Sequence, residues 1–329
     1  MTQNNRPMLS VICPTYNHEH YIRQALDGIL MQKVNFSMEI IVGEDCSKDG
    51  TRQILREYEE KYPGVFTMLY REKNMGMNGN CTDLYERSTG KYIAYLECDD
   101  FWIDPNKLQK QVDYLEAHPD VVVCYHNVVV VGHDGKPNGE VYPESPTEDY
   151  TLRQYRSECM PGQTSTLMMR NCYVDKQYKF TNICKDLALT PGDRVQVFSF
   201  VAYAKVHCIK EPLGAYRHVI SQGSSYSATV RRNFYQESVF MADFYRKMME
   251  YARKDNAPAP ARKTLEQMYL WRLTAAVVRG RKEADRPSWT KAVKNLEFKT
   301  AAVGYCAGRL ICLPLKKIYH KIAGKSLER

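Results

Sequence analysis

Residues 91–102 read KYIAYLECDDFW, and this run decides the fold. Its first half, KYIAYL (91–96), is an apolar stretch of strand length, rich in aromatic residues. It stops on Glu97-Cys98-Asp99-Asp100, and a helical pattern over 106–117 follows. Working outward, the same grammar recurs. MLSVIC (8–13) runs into Pro14-Thr15-Tyr16-Asn17, and EIIVG (39–43) runs into Glu44-Asp45-Cys46-Ser47. Between them Ile22, Ala25, Leu26, Ile29 and Leu30 fall at helical spacing. Thr51 is placed to cap a helix with Ile54, Leu55 and Tyr58 on one face, ended by Pro63. VFTMLY (65–70) reads as a third strand, 78–88 as a helix closed by Gly90, and VVVCYH (121–126) as a further strand. Strands alternating with helices predict an α/β fold: a mostly parallel, Rossmann-like sheet with right-handed crossovers and flanking helices. Ligands on such a sheet bind at the carboxyl ends of the strands, so the three polar segments are expected to meet along one rim.

Beyond residue 131 the pattern changes. Gly, Pro and acids over 132–158 predict a long loop, and STLMMR (165–170) predicts a strand. Residues 181–203 read as a loop feeding an apolar helix, and VHCIKEPLGAYRHV (206–219) as a short strand pair. From 231 the sequence is helical, with Phe240, Phe244 and Met248 four apart, and APAPAR (257–262) reads as a linker. The expected division is a sheet domain over 1–230 and a helical C-terminal region over 231–329.

Charge follows the same division. The net charge is +8, yet residues 250–329 hold 18 Lys and Arg against 7 Asp and Glu, while 1–249 hold 28 against 31. A chain 44% hydrophobic and 26% charged excludes collagen, long coiled coil and wholesale disorder. The longest apolar stretch, 301–315, contains Arg309 and falls short of the roughly 20 residues a spanning helix needs. Eleven cysteines without a CxxC pair argue against a disulfide framework or structural zinc. The first residues lack the pattern of a secretory signal, so a reducing cytoplasm is expected.

Glu97 and Asp99, at i and i+2 of a strand end, point to one side. Carboxylate oxygens so placed suit Mg²⁺ or Mn²⁺, which leaves positions for a phosphate. The other reading is an acidic start to the 106–117 helix, favoured by its dipole. Neither GxGxxG nor GxxxxGK[ST] occurs, so a carboxylate-held cation is the remaining obvious device for a diphosphate. Asp193, in TPGDRVQVF, suits either a general base or a helix N-cap, with Asp186 the alternative base. Arg71 either reaches a phosphate or lies solvated. Phe101 is expected to pack, and Trp102 either packs or stacks on a sugar.

The succession SVICPTYN, EIIVGEDCSKDGT, NMGMNGN and GKYIAYLECDDFWIDPNKL resembles the family 2 glycosyltransferases with the A-type nucleotide-sugar fold (GT-A), over about residues 8–220. That resemblance implies a nucleotide pocket lined by Pro14, Thr15 and Tyr16, with Asp45 on the base and Glu97 near the ribose. Asn17, Arg71, Asn74, Gly76 and Cys98 join the same donor site. Asp99 becomes the metal ligand and Asp193 the catalytic base. The family more often has Asp where this chain has Glu97. Tyr216-Arg217-His218 followed by SQGSSYS resembles the segment closing on the diphosphate, with Arg217 on the donor, His218 at the metal, and Ser224 and Ser225 at phosphate or in a flexible loop. In the common pattern one residue separates the Arg from the His. MPGQTSTLMMR (160–170) lies where similar enzymes form part of the acceptor pocket, so Gln163, Thr164 and Trp102 are expected there.

The function so implied is an inverting, metal-dependent hexosyl- or N-acetylhexosaminyltransferase. It moves a sugar from a UDP-sugar to a hydroxyl of a glycan or lipid-linked acceptor, in bacterial surface polysaccharide or lipopolysaccharide synthesis. One alternative, a sugar-phosphate nucleotidyltransferase, needs a Gly-rich, Arg-containing loop after the first strand, which PTYNHEH is not. A non-catalytic, membrane-bound scaffold is the other. Residues 299–325 combine Leu310, Ile311, Leu313, Leu315 and Ile318 with Lys316, Lys317, Lys321 and Lys325, around a kink expected at Pro314. They either lie on the anionic inner face of the membrane or dock as a terminal helix with a solvated basic face. Nucleic acid is not an expected partner.

Overall fold

The computed structural model describes residues 6–175, 191–219, 234–279 and 286–322. Strands β1 (Leu9–Thr15), β2 (Met38–Glu44), β3 (Phe66–Tyr70) and β4 (Tyr92–Tyr95) run parallel in the order β3-β2-β1-β4. Helices α1 (Ile22–Leu30), α2 (Thr51–Lys61) and α3 (Gly76–Arg87) connect them. All of β1 is buried, as a parallel strand covered on both faces should be. The face that α1 buries is Ile22, Ala25, Leu26, Gly28 and Ile29. These side chains join Val11, Cys13, Ile40, Val42 and Ala94 in one apolar core.

The chain continues through β5 (Phe101–Trp102), α4 (Lys107–Ala117), β6 (Val121–Val131), β7 (Asp149–Tyr150), α5 (Leu152–Arg156), β8 (Met168–Arg170), α6 (Cys172–Asp175), α7 (Gly192–Tyr203) and β9 (Lys205–Arg217). The sheet extends as β4-β8-β6-β9-β5, with β7 also on β9, giving nine strands among the described residues. Strand β8 is antiparallel to β4 and β6, whereas β9 is parallel to β6 and antiparallel to β5 and β7. Six strands therefore share one direction, and the α/β fold is the mostly parallel one that the alternation predicts.

Several local expectations are corrected. Residues 206–219 are not a strand pair: 206–217 belong to the single strand β9, because β6 runs beside it in parallel and absorbs irregularities at His126, Asn127 and Val128. The first half of 165–170 is a 3₁₀ turn, Thr164–Thr166, and only Met168–Arg170 joins the sheet. The loop over 132–158 contains β7 and α5. Thr51 opens α2 without capping it; Asp49 Oδ1 accepts from the Thr51 amide (3.0 Å) and hydroxyl (2.6 Å). Gly90 lies beyond the end of α3 and is needed for close approach, since a Cβ there would stand 2.5 Å from the Ser10 nitrogen. Residues 257–262 are no linker: Ala257 and Ala261 are buried and a helix starts at Ala259.

Two compact units divide the chain, Met1–Ala228 and Thr229–Arg329. The second holds α8 (Phe234–Lys254), α9 (Ala259–Arg279), α10 (Arg286–Lys294) and α11 (Lys299–Ile322). Phe244, Tyr245 and Met248 are buried along α8, while Phe240 is half-buried. Helix α9 packs against α8 and α11, and α11 runs on through Pro314. Among the described residues no helix is long and apolar enough to cross a membrane.

Candidate active site

Because β2, β1 and β4 are adjacent and parallel, with Thr15 opposite Glu44 and Ile12 opposite Tyr95, the three polar segments leave the sheet side by side. Asp45 is buried. Its amide donates to the Thr15 carbonyl (3.0 Å), and its Oδ1 accepts from the Met75 amide (2.7 Å). Asn74 closes the same loop, donating through Nδ2 to the Asp45 carbonyl (3.1 Å) and accepting from the Gly76 amide (2.9 Å). Gly76 sits at φ +74°, a left-handed conformation that glycine adopts without a steric penalty. Burial pushes the Cys81 thiol up to about 12 against the pull of its hydrogen bond with Tyr95, and the charges of Glu97 and Asp45 add smaller contributions upward. The charges of Asp45 and Glu97 are thus both felt at Cys81.

Carboxylate oxygens of Glu97, Asp99 and Asp100 lie within 4.8 Å of one another. Asp100 is committed inward: Oδ2 accepts from Ser165 Oγ and Oδ1 from the Arg217 amide, both at 2.8 Å. Ser165 Oγ also accepts from the Glu97 amide (3.0 Å), and Gln163 Nε2 donates to Glu97 Oε2 (3.2 Å). Burial and the Asp99 charge push Glu97 up to about 8, with a smaller contribution from Asp193. Crowded carboxylates of this kind carry an electrostatic cost that a bound dication removes. Hard oxygen donors suit Mg²⁺ or Mn²⁺, so Asp99 and Glu97 fit such an ion, with Asp100 behind them.

Asp193 is the second residue of α7, whose N-cap is Pro191; the N-cap reading is thereby corrected. Its Oδ1 accepts from the Arg194 amide at 2.7 Å, and its charge is felt at Glu97. A half-buried carboxylate fixed in the first turn of α7 thus acts electrostatically on the acidic cluster. Asp186, Ser224 and Ser225 lie outside the described residues.

Other expected site residues are placed differently. Pro14 and Thr15 are buried in β1, Thr15 Oγ1 meets His18 Nδ1 at 3.2 Å, and Tyr16 leaves the strand half-exposed. Asn17, at φ +57°, accepts from the Lys48 amide (2.8 Å) through its side-chain oxygen and donates from its own amide to Ser47 Oγ (3.0 Å), so it ties two loops together. Arg71 is neither solvated nor free for phosphate: it pairs with Asp83 at 2.5 Å. Cys98 lies in the turn beyond β4 and is turned into the apolar core. Its thiol is fully buried and hydrogen-bonded to Cys13 and His18.

Arg217 is 6% exposed. Its guanidinium donates to the carbonyls of Asp99, Gly132 and His133 and to Gln24 Oε1, and lies over the Tyr21 ring at 4.4 Å. Those bonds take it from the diphosphate role. His218 meets Glu140 at 2.5 Å and does not belong to the carboxylate cluster. Trp102 packs: it is 2% exposed, donates to the Ser165 carbonyl (2.9 Å) and carries the Lys107 Nζ over its ring at 3.7 Å. Gln163 supports Glu97 rather than facing an acceptor, and Thr164 is half-buried in the 3₁₀ turn. Sequence reasoning missed Asp100 and Ser165 as the inner supports. The spacing Glu97-x-Asp99-Asp100 was visible, but the serine lies 65 residues downstream of Asp100.

Residues 10–178 match the family model described as Glycosyl transferase family 2. The chain belongs to that family. Among curated relatives, the uncharacterized protein Rv1520 of Mycobacterium tuberculosis is 41% identical over 144 residues, which is 44% of this chain and 42% of the relative. The putative teichuronic acid biosynthesis glycosyltransferase TuaG of Bacillus subtilis is 33% identical over 175 residues, covering 51% of this chain and 68% of TuaG. The chain thus spans less than half the length of the mycobacterial relatives it matches. Among solved structures, Staphylococcus aureus TarS 1–349 in complex with UDP-GlcNAc superposes with TM-score 0.58 at 18% identity, over 87% of this chain and 79% of that one. That likeness shows the fold, the GT-A type.

Proposed function

We propose that this family 2 glycosyltransferase moves a sugar from a UDP-sugar to a hydroxyl of a glycan or lipid-linked acceptor, with inversion at the anomeric carbon. One observation supports the reading: the segments carrying Asp45 and the Glu97–Asp99 pair leave neighbouring parallel strands at the same edge of the sheet, and the charge of Asp193 is felt at Glu97. Asp45 and the Asn74–Gly76 loop receive the nucleoside. A divalent cation held by Asp99 and Glu97 supplies charge neutralisation for the departing diphosphate. Asp193 takes the proton of the attacking hydroxyl, and Gln163 and Ser165 hold Glu97 and Asp100 in place for it. The name of TuaG supports a role in cell-surface polysaccharide synthesis.

In this reading residues 1–230 are catalytic, and 231–329 bring the enzyme to the membrane that carries lipid-linked acceptors. Val303, Leu310 and Ile311 are exposed on α11, and the sequence beyond them is basic. The deciding experiment is UDP release from a panel of UDP-sugars, with and without Mn²⁺. Cation-dependent release supports the proposal; release from none of the panel, or release indifferent to cation, defeats it.

A further inference from the structure

The turn Thr164–Thr166 and the residue before it carry the side chains that support the acidic cluster. Gln163 bonds Glu97, and Ser165 bonds both Glu97 and Asp100. The turn is closed on itself, with the Gln163 carbonyl accepting from the Thr166 amide (3.0 Å) and hydroxyl (2.7 Å). Side chains distant in sequence hold its backbone from outside. Trp102 Nε1 donates to the Ser165 carbonyl and Gln111 Nε2 to the Thr166 carbonyl, both at 2.9 Å.

Gln111 reaches the turn from α4, where it is fully buried. Its Nε2 also donates to the Cys124 carbonyl of β6 at 2.9 Å. Both amide hydrogens are thus spent on carbonyls, one on the sheet and one on the turn. Reversing the amide would set Oε1 against two oxygens with no hydrogen between them, so its orientation is fixed. The consequence is that Oε1 accepts no hydrogen bond among the described residues. A buried acceptor left so costs stability, and local rules are broken in this way where a protein holds a functional group in place.

We propose that Gln111 is a positioning residue for the cation site. By tying the Thr166 carbonyl to β6 it fixes the turn from which Gln163 and Ser165 reach Glu97 and Asp100. Without that tie all three carboxylates remain, but their spacing is no longer held. Affinity for a hard dication depends on that spacing, and on the groups that orient its ligands from behind. The inference rests on the reading that Asp99 and Glu97 hold a divalent cation, and is independent of which sugar and acceptor are used.

The test titrates Mn²⁺ into the full chain with UDP present and reads free Mn²⁺ by electron paramagnetic resonance, which needs no turnover. Gln111→Met, similar in length but without donors, should raise the Mn²⁺ dissociation constant about tenfold. Gln111→Asn keeps the amide but shortens its reach, so a smaller rise is expected. It gives the reading if Gln111→Met does not fold. A role in stability alone would lower the melting temperature and leave the dissociation constant at the wild-type value. That outcome in Gln111→Met, or in Gln111→Asn where only it folds, overturns this proposal alone. A wild-type chain that binds no Mn²⁺ in the presence of UDP overturns the cation reading and this inference with it.

Discussion

Arg217 Nε donates to the backbone carbonyl of Asp99 at 2.8 Å, so the guanidinium holds the acidic loop from behind instead of facing the donor. Four acceptors share this one side chain, and its own amide serves Asp100. Removing it strands buried polar groups, a cost of about 3 kcal/mol. Arg217→Ala should therefore melt several degrees below the wild type in thermal unfolding. A variant with normal melting but weakened UDP binding would return Arg217 to the diphosphate.

Asp99 is half-exposed while Asp100 is buried and tied inward. Asp99→Ala should lower cation-dependent release of UDP by about 100-fold or more, given what one charge-stabilising group contributes in a closed site. Asp100→Asn should instead show itself first in stability, since Ser165 Oγ and the Arg217 amide use both carboxyl oxygens and one becomes an amide nitrogen that cannot accept. Steady-state assays across a Mn²⁺ titration separate the two. Wild-type activity in Asp99→Ala removes it from the site.

Asp193→Asn keeps the shape and the bond to the Arg194 amide but cannot accept a proton. Transfer turnover should fall by about 10² to 10⁴, with the donor KM nearly unchanged. Near-normal turnover excludes Asp193 as the base.

Lys107 is fully buried over Trp102, and its Nζ has no hydrogen-bond acceptor among the described residues. Burial holds its amine well below the ordinary lysine range. In the unfolded chain the amine binds a proton that the native state releases, so the unfolded state holds more protons in the window between the two pKa values. Stability therefore rises with pH through that window, up to about 10.5, and falls below it. Lys107→Met should be more stable at pH 7 by about 1–3 kcal/mol and should flatten the alkaline rise. Urea unfolding from pH 6 to 9.5 measures both, and parallel pH profiles for the two proteins would refute a neutral Lys107.

Much of the framework was legible because it is local. Ile22, Ala25, Leu26 and Ile29 announce a helix by spacing alone, and the strand that precedes Glu97 announces itself by composition. Capping was less legible: Thr51 has the right chemistry for an N-cap, yet Asp49, two residues earlier, takes the amide. Chain reversal was less legible still. Pro212 and Gly214 look like a turn, and only the neighbouring strand β6 keeps them extended.

By itself the sequence determined the alternation of strands and helices, the family, and which carboxylates end β4, since each depends on residues within a few positions of one another. Only the tertiary structure decided which polar groups are free to act. Arg217 is captured by Asp99, Gly132, His133 and Gln24, Arg71 by Asp83, and Trp102 by Ser165. A charged or aromatic side chain looks the same in sequence whether its partner is a ligand or the protein. The difference lies in contacts between residues far apart along the chain, which are made only when the sheet closes.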